Sequence, residues 1–167
     1  MTNDLDRAIT DAAGRLAEAL KERGWLLATA ESCTGGWIAK CCTDPSGSSA
    51  WFDRGYVVYS YPAKQEELGV IQQDLEEHGA VSEAIAAQMA LGARRRSGAD
   101  LTIAATGIAG PTGGLPNKPV GLVCFAWSMR GAMLRSECTV FDGDRDSIRK
   151  QTVLHAFEGA IQTLAMA

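Results

Sequence analysis

A short segment of the sequence, residues 31–36 (ESCTGG), combines two nucleophilic side chains with two glycines. An apolar run precedes it and apolar-periodic residues from Trp37 follow it, which predicts a strand, a tight turn and a helix. At such a turn, Ser32 or Cys33 would lie beside the unpaired N–H groups of a helix start, where anions and developing oxyanions are stabilised. The alternative is that Ser32 or Thr34 only caps the helix and the glycines only let the chain bend.

The base for a serine nucleophile is not expected to be histidine. Only His78 and His155 are present; His78 lies in a polar segment, and His155 lies well inside the predicted last helix. A Ser-His-Asp triad is therefore hard to build, and we expect an ordinary exposed or packed role for each histidine.

Lys64 is the best-placed candidate base. It lies in the first turn of a helix that Ser60 is predicted to cap. The positive end of the helix dipole and partial desolvation would lower its pKa, so that the neutral amine accepts the serine proton. Tyr59 would relay that proton or orient the ammonium group. The alternative is a solvated lysine paired with nearby glutamates at positions 66 and 67.

Cys33 is the rival nucleophile, because a helix N-terminus lowers the pKa of a thiol. Glu31, Lys64 and Cys33 would then form a Glu-Lys-Cys amidase set. The alternative for Glu31 is a carboxylate that serves the helix dipole or a salt bridge.

The segment 106–119 is rich in glycine and proline but has neither P-loop nor dinucleotide-binding spacing. Its glycines allow close approach of the backbone to a ligand, and Thr106 and Gly107 could donate to a phosphate or an oxyanion. Arg145 and Arg149 lie one turn apart at the start of the predicted last helix and would attract an anion. The alternatives are a purely structural loop and ion pairs with nearby aspartates.

The apolar periodicity places these residues in an alternating pattern of helices and strands. Strands are predicted at residues 25–30, 51–59 (with Gly55 as a bulge), 100–105, 120–129 and 132–141, and helices at 4–23, 34–42, 60–68, 72–78, 82–97 and 145–164. The last two strands form a hairpin. We therefore predict a three-layer α/β/α sandwich on a mixed, mainly parallel sheet with an antiparallel hairpin. Ligands lie beyond the carboxyl ends of parallel strands, so residues 31–36, 59–64 and 106–114 should converge at one rim.

Length and composition bound the class of protein. The 167 residues suit a single domain, residues 1–167, and 46% hydrophobic content indicates a globular chain. No apolar run is long enough for a membrane span and the N-terminus is polar, so a cytoplasmic protein is expected. A net charge of −4 argues against nucleic-acid binding. Five cysteines without CxxC spacing and two histidines argue against a disulfide framework and a metal site.

Several spaced motifs together resemble the CinA C-terminal family, the competence/damage-inducible protein family. In order, they are TAESCTGGW, GSSAWFDRGYVVYS with AK after it, GAVSE, TGIAGPTGG followed by KPVG, and FDGDRDSIRKQ. The resemblance covers nearly the whole chain. It implies hydrolysis of the carboxamide of nicotinamide mononucleotide to nicotinic acid mononucleotide and ammonia, a pyridine nucleotide salvage step. It also implies a Ser/Lys amidohydrolase that requires no metal or redox cofactor.

By the resemblance, the family's serine falls on Ser32 and its lysine on Lys64, with Tyr59 in the same catalytic site. The residues expected to contact the substrate are Glu31, Cys33, Thr34, Gly35, Gly36, Thr106, Gly107, Ala109, Gly110, Arg145 and Arg149. The alternative function is a non-catalytic nucleotide-binding or regulatory module linked to competence and DNA damage. The hairpin edge is compatible with a homodimer.

Overall fold

The fold is built on one five-stranded sheet. The computed structural model describes residues 3–167. The sheet order is β2-β1-β3-β4-β5, parallel through the first three strands and antiparallel through the last three. The strands are β1 (Leu27–Glu31), β2 (Phe52–Val57), β3 (Leu101–Gly107), β4 (Leu122–Met129) and β5 (Met133–Val140). The predicted mixed sheet with its hairpin is confirmed.

Helices cover both faces of this sheet. They are α1 (Asp4–Arg23), α2 (Trp37–Thr43), α3 (Tyr61–Leu68), α4 (Gln72–His78), α5 (Glu83–Ser97) and α6 (Arg145–Ala165), with a 3₁₀ turn at Ser48–Ala50. The core on one face joins α1, α2 and α6 to the sheet, and the core on the other face joins α3, α4 and α5 to it. Ile103 points into the first core and its neighbour Ala104 into the second, as strand alternation requires. The three-layer architecture is therefore confirmed. None of the helices within residues 3–167 is long and apolar enough to cross a membrane.

Four of the six helices in the described residues begin at an N-cap residue whose side chain accepts a backbone N–H, and α2 and α4 do not. The side chains of Ser60 and Ser82 accept from Ala63 N and Ile85 N, as expected of N-caps. The predicted start of α2 at residue 34 is wrong, because the glycine before Trp37 has φ 98° and ends the turn there. The residues before Trp37 therefore form a separate turn instead of the first turn of a helix.

The register of the parallel strands aligns their carboxyl ends. Glu31, the last residue of β1, lies opposite Val57 of β2 and Ala105 of β3. The register of β1 against β2 shifts between Leu27 and the next residue, so the irregularity lies near the start of β2. The predicted bulge at Gly55 is wrong. Gly55 is paired regularly, and a Cβ there would lie 2.8 Å from the Thr29 hydroxyl, so close packing explains the glycine.

A disulfide joins Cys124 of β4 to Cys138 of β5, which lie directly opposite each other in the hairpin. It is a single cross-strand bond and not a framework of several. The sequence did not predict this bond, because the pairing depends on the hairpin register. Cys33, Cys41 and Cys42 are free and buried.

The packing of α6 against β4 depends on a glycine. A Cβ at Gly159 would lie 2.0 Å from the ring of Trp127, whose indole N–H donates to Ala156 O and is thereby held in place. We expect Gly159→Ala to lower the unfolding free energy by about 2 kcal/mol, because overpacking outweighs the gain of about 1 kcal/mol in helix propensity.

The matched control for this substitution is Gly14→Ala in α1, where an added Cβ meets no atom within 4 Å. There the same change should stabilise the protein by about 0.5–1 kcal/mol. Urea denaturation of both variants measures the two effects. A Gly159→Ala variant as stable as the wild type would contradict the close packing of α6.

Candidate active site

The candidate nucleophile Ser32 follows directly after β1. Its backbone N–H donates to Ala105 O of β3 at 3.1 Å, which extends the sheet contacts by one residue past the strand. The side chain is 7% exposed. Ser32 is thus anchored to the sheet and largely buried at the rim where the parallel strands end.

Lys64 extends from α3 to this serine. Its Nζ lies 2.9 Å from Ser32 Oγ, 2.9 Å from Val58 O and 2.7 Å from Tyr59 O. Three acceptors match the three hydrogens of an ammonium group. In the neutral amine, two N–H groups can hold the carbonyls while the lone pair accepts the hydroxyl proton of Ser32. This geometry suits proton transfer between the two side chains.

The lysine side chain is buried. Lys64 is 0% exposed, and no carboxylate of residues 3–167 lies within salt-bridge distance of it, so the alternative pairing with nearby glutamates is absent there. Burial lowers the pKa of Lys64 to about 8, which agrees with the desolvation that was predicted. With that pKa, about one lysine in ten is neutral at pH 7.

Cys33 is less suited to attack. Burial raises the pKa of the Cys33 thiol to about 11, so the prediction that the helix start lowers it is wrong. With this pKa, a thiolate forms in about one molecule in 10⁴ at pH 7.

Glu31 is fully buried and its carboxylate has four partners. It accepts from the hydroxyls of Thr29 (3.0 Å) and Thr34 (2.7 Å), and from the backbone N–H groups of Ile38 and Ala39 (both 2.9 Å). It therefore caps α2, in agreement with the alternative of a carboxylate that serves the helix. The two N–H groups of α2 that it holds are not free for a substrate, and no bond joins Glu31 to Lys64 within the described residues.

The turn between Ser32 and α2 is held from its other side by Arg149 of α6. Arg149 Nε donates to Cys33 O at 3.0 Å, and Nη2 donates to Thr34 O at 3.1 Å. Gly35 N donates to Ser32 O at 3.2 Å and closes the turn. Arg149 was expected to face an anion, but the structure directs these donors to the turn itself.

The glycine-rich loop after β3 reaches the same rim. The Thr106 hydroxyl donates to Ala80 O at 3.0 Å, so this donor is already engaged within the protein. Arg145 donates to Gly110 O at 2.8 Å and tethers the loop to α6, while its own side chain is exposed. Ala109 is buried.

Tyr59 and Gly107 meet the site mainly through the backbone. The carbonyl of Tyr59 holds Lys64, while its side chain is 67% exposed, so the described contacts do not place the hydroxyl on the lysine. A Cβ at Gly107 would lie 2.7 Å from the Val123 side chain, which explains the glycine by packing against β4. The role of Val58 O was not predicted, because no sequence pattern marks a main-chain carbonyl.

An open cavity of ≈ 440 Å³ adjoins the turn. It is lined by Thr34, Gly35, Gly36, Trp37, Lys40 and Arg149. Two of these six residues carry a cationic side chain, although Lys40 also pairs with Asp44 at 2.8 Å. The region beside the nucleophile therefore favours anionic groups.

Comparison with known families identifies the domain. The CinA C-terminal domain matches residues 9–164. The chain belongs to the CinA C-terminal domain family. Within this family, the nicotinamide-nucleotide amidohydrolase PncC of Escherichia coli (strain K12) is 48% identical over 155 residues, which are 92% of this chain and 93% of that protein.

Solved structures of CinA proteins share the fold. The CinA superfamily protein of Klebsiella pneumoniae superposes with a TM-score of 0.91 at 39% identity, over 95% of this chain and 99% of that one. The competence/damage inducible protein CihA of Agrobacterium tumefaciens gives a TM-score of 0.90 at 44% identity, over 93% and 94%. In this CinA domain, Ser32 and Lys64 are joined by the 2.9 Å hydrogen bond described above.

Proposed function

We propose that this chain is a nicotinamide-nucleotide amidohydrolase that converts nicotinamide mononucleotide and water to nicotinic acid mononucleotide and ammonia. The observation that carries this proposal is the buried hydrogen bond of 2.9 Å between Lys64 Nζ and Ser32 Oγ. The relative from Escherichia coli, which is 48% identical over nearly its full length, carries that activity in its name and supports the choice of substrate.

In the proposed acylation step, neutral Lys64 accepts the proton of Ser32 while Oγ forms a bond to the carboxamide carbon. The carbonyl oxygen becomes an oxyanion that accepts hydrogen bonds from backbone N–H groups of the turn. The ammonium of Lys64 then donates its proton to the amide nitrogen as the C–N bond breaks. Ammonia leaves and an acyl-serine remains.

In the proposed deacylation step, Lys64 is neutral again and accepts a proton from water. The hydroxide attacks the acyl carbon and the same N–H groups hold the second oxyanion. The C–O bond to Ser32 breaks, and the proton returns from Lys64 to Oγ. One lysine therefore serves as base and acid in both steps.

The substrate carries a cationic ring and a phosphate, and the rim offers groups for each. The exposed ring of Tyr59, whose carbonyl binds Lys64, could stack on the pyridinium ring through a cation–π contact. The exposed Arg145, at the start of α6 and bonded to Gly110 O of the glycine-rich loop, could hold the phosphate.

Ammonia release from nicotinamide mononucleotide tests the function directly. The wild type should release one ammonia per nicotinic acid mononucleotide, and Ser32→Ala should abolish release while still binding the nucleotide. Loss of activity in Cys33→Ala with retention in Ser32→Ala would instead assign the nucleophile to Cys33. A wild type that binds the nucleotide without releasing ammonia would favour the regulatory module.

Three further expectations belong to this proposal. We propose that residues 1–167 act as one amidohydrolase domain, since both apolar cores share the single sheet. A cytoplasmic location suits an enzyme of nucleotide salvage. A homodimer is supported by the strand edges at β2 and β5, the two ends of the sheet.

A further inference from the structure

The turn after Ser32 contains two backbone N–H groups without a partner. The N–H groups of Cys33 and Thr34 make no hydrogen bond to any atom of residues 3–167, although both residues are buried. Unpaired buried N–H groups are uncommon and cost free energy. Two such donors directly after a nucleophile form an arrangement that a developing oxyanion would satisfy.

Arg149 fixes the direction of the Thr34 N–H. In a trans peptide, the C=O and the following N–H point in opposite directions. The 3.0 Å bond from Arg149 Nε to Cys33 O therefore turns the Thr34 N–H away from the guanidinium group. A flip of this peptide would replace the donor with a carbonyl oxygen, which would repel an oxyanion.

The second contact of Arg149 fixes the Cys33 N–H indirectly, through one intervening peptide group. Nη2 holds Thr34 O at 3.1 Å, and the N–H of that same peptide, on Gly35, donates to Ser32 O at 3.2 Å. The peptide of Ser32 O carries the Cys33 N–H, so this donor is fixed at the end of a chain of two hydrogen bonds. Hydrogen bonds in such chains polarise one another, so the charge of Arg149 strengthens the terminal donor.

The guanidinium group itself is held in place. It lies over the ring of Trp37, with Cζ 5.0 Å from the centroid, and two of its N–H groups are engaged by the turn. Resting on the proposed amidohydrolase function, we propose that Arg149 is a positioning residue that orients and polarises the Cys33 and Thr34 N–H groups as the oxyanion donors, and that it does not bind the substrate phosphate.

The test compares Arg149→Met, Arg149→Lys and a control, Lys150→Met. Lys150 follows on α6, lies 6.0 Å from the same Trp37 ring and pairs with Asp6 and Asp146. The substrates are nicotinamide mononucleotide and its nucleoside, which lacks the phosphate. We expect Arg149→Met to lower kcat about 10²-fold on both substrates, with KM changed less than about threefold. The kcat of Arg149→Lys should be about tenfold higher than that of Arg149→Met, because an amine can hold one carbonyl. The kcat of Lys150→Met should match that of the wild type.

Two outcomes would overturn the proposal. A rise in KM for the nucleotide alone, at unchanged kcat, would assign Arg149 to the phosphate. The second outcome is that Arg149→Met and Arg149→Lys lose the same amount of kcat and that their melting temperatures fall equally. This result would assign Arg149 a purely structural role.

A second readout separates this proposal from the proposed function. Acylation of Ser32 by p-nitrophenyl acetate, followed as a burst of nitrophenolate, requires the same oxyanion donors but no nucleotide. If the wild type shows the burst but releases no ammonia from the nucleotide, the proposed function fails. The burst then still measures the effect of Arg149 on the acylation of Ser32. An undiminished burst in Arg149→Met would overturn the positioning role.

Discussion

Replacing Lys64 with methionine is expected to lower kcat/KM for nicotinamide mononucleotide by about 10³–10⁴-fold. This is the upper part of the range for one general base, because the same amine transfers protons in both acylation and deacylation. Methionine keeps most of the unbranched apolar stem of the lysine but has no amine to accept the Ser32 proton across the 2.9 Å contact. Steady-state ammonia release measures the effect.

The control for this variant is Lys21→Met, the same change at an exposed lysine of α1 that pairs with Glu18. It should retain the wild-type rate. A Lys64→Met variant with more than about one-tenth of the wild-type rate would remove the lysine from the mechanism.

The pH dependence of the wild type provides an independent check of Lys64. Only the neutral amine accepts a proton, and burial places the pKa of Lys64 at about 8. The value of kcat/KM should therefore rise with pH and reach half its plateau near pH 8, with about one-hundredth of the plateau at pH 6. A profile that is flat between pH 6 and pH 9 would contradict a lysine base.

Replacing Glu31 with glutamine is expected to lower the unfolding free energy by about 2–4 kcal/mol at pH 7. Each carboxylate oxygen accepts one hydroxyl and one backbone N–H of α2. The amide NH₂ of glutamine would replace one acceptor, so a buried N–H would face another donor without a bond. The start of α2 and the adjoining turn should shift, and ammonia release should fall together with stability.

Urea denaturation followed by circular dichroism measures the stability of this variant. Glu18→Gln, at an exposed site of α1, is the matched control and should stay within about 0.5 kcal/mol of the wild type. If Glu31→Gln were as stable as that control, the carboxylate would not be the cap of α2.

Local signals explain what the sequence predicted well. Ser60 and Ser82 mark helix starts through their own side chains, and β3 was predicted as a buried strand from its run of mainly small and apolar residues. The meeting of Ser32 and Lys64 followed from a general rule about the carboxyl ends of parallel strands. The bond between them confirms that these two positions converge, although 32 residues separate them.

Contacts made across the chain explain what the sequence did not predict. Arg149 reaches the carbonyl of Cys33 from 116 residues away, and no local pattern marks that pairing. The capping role of Glu31 depends on how α2 docks on the sheet, so it appeared only as one of two alternatives. The Cys124–Cys138 bond depends on the register of the hairpin.

The register of β1 against β2 also bears on how the length of this chain can vary. Leu27 pairs with Phe52 and the next residue pairs with Arg54, so the sheet already accommodates one additional residue at that point. From Arg54 onward the pairing is regular to the end of β2, and a short connection then leads into α3 and Lys64. A single-residue insertion after Arg54 would turn the following side chains to the opposite face. Functional homologues should therefore differ in length before Arg54 and keep a constant spacing from Arg54 to Lys64.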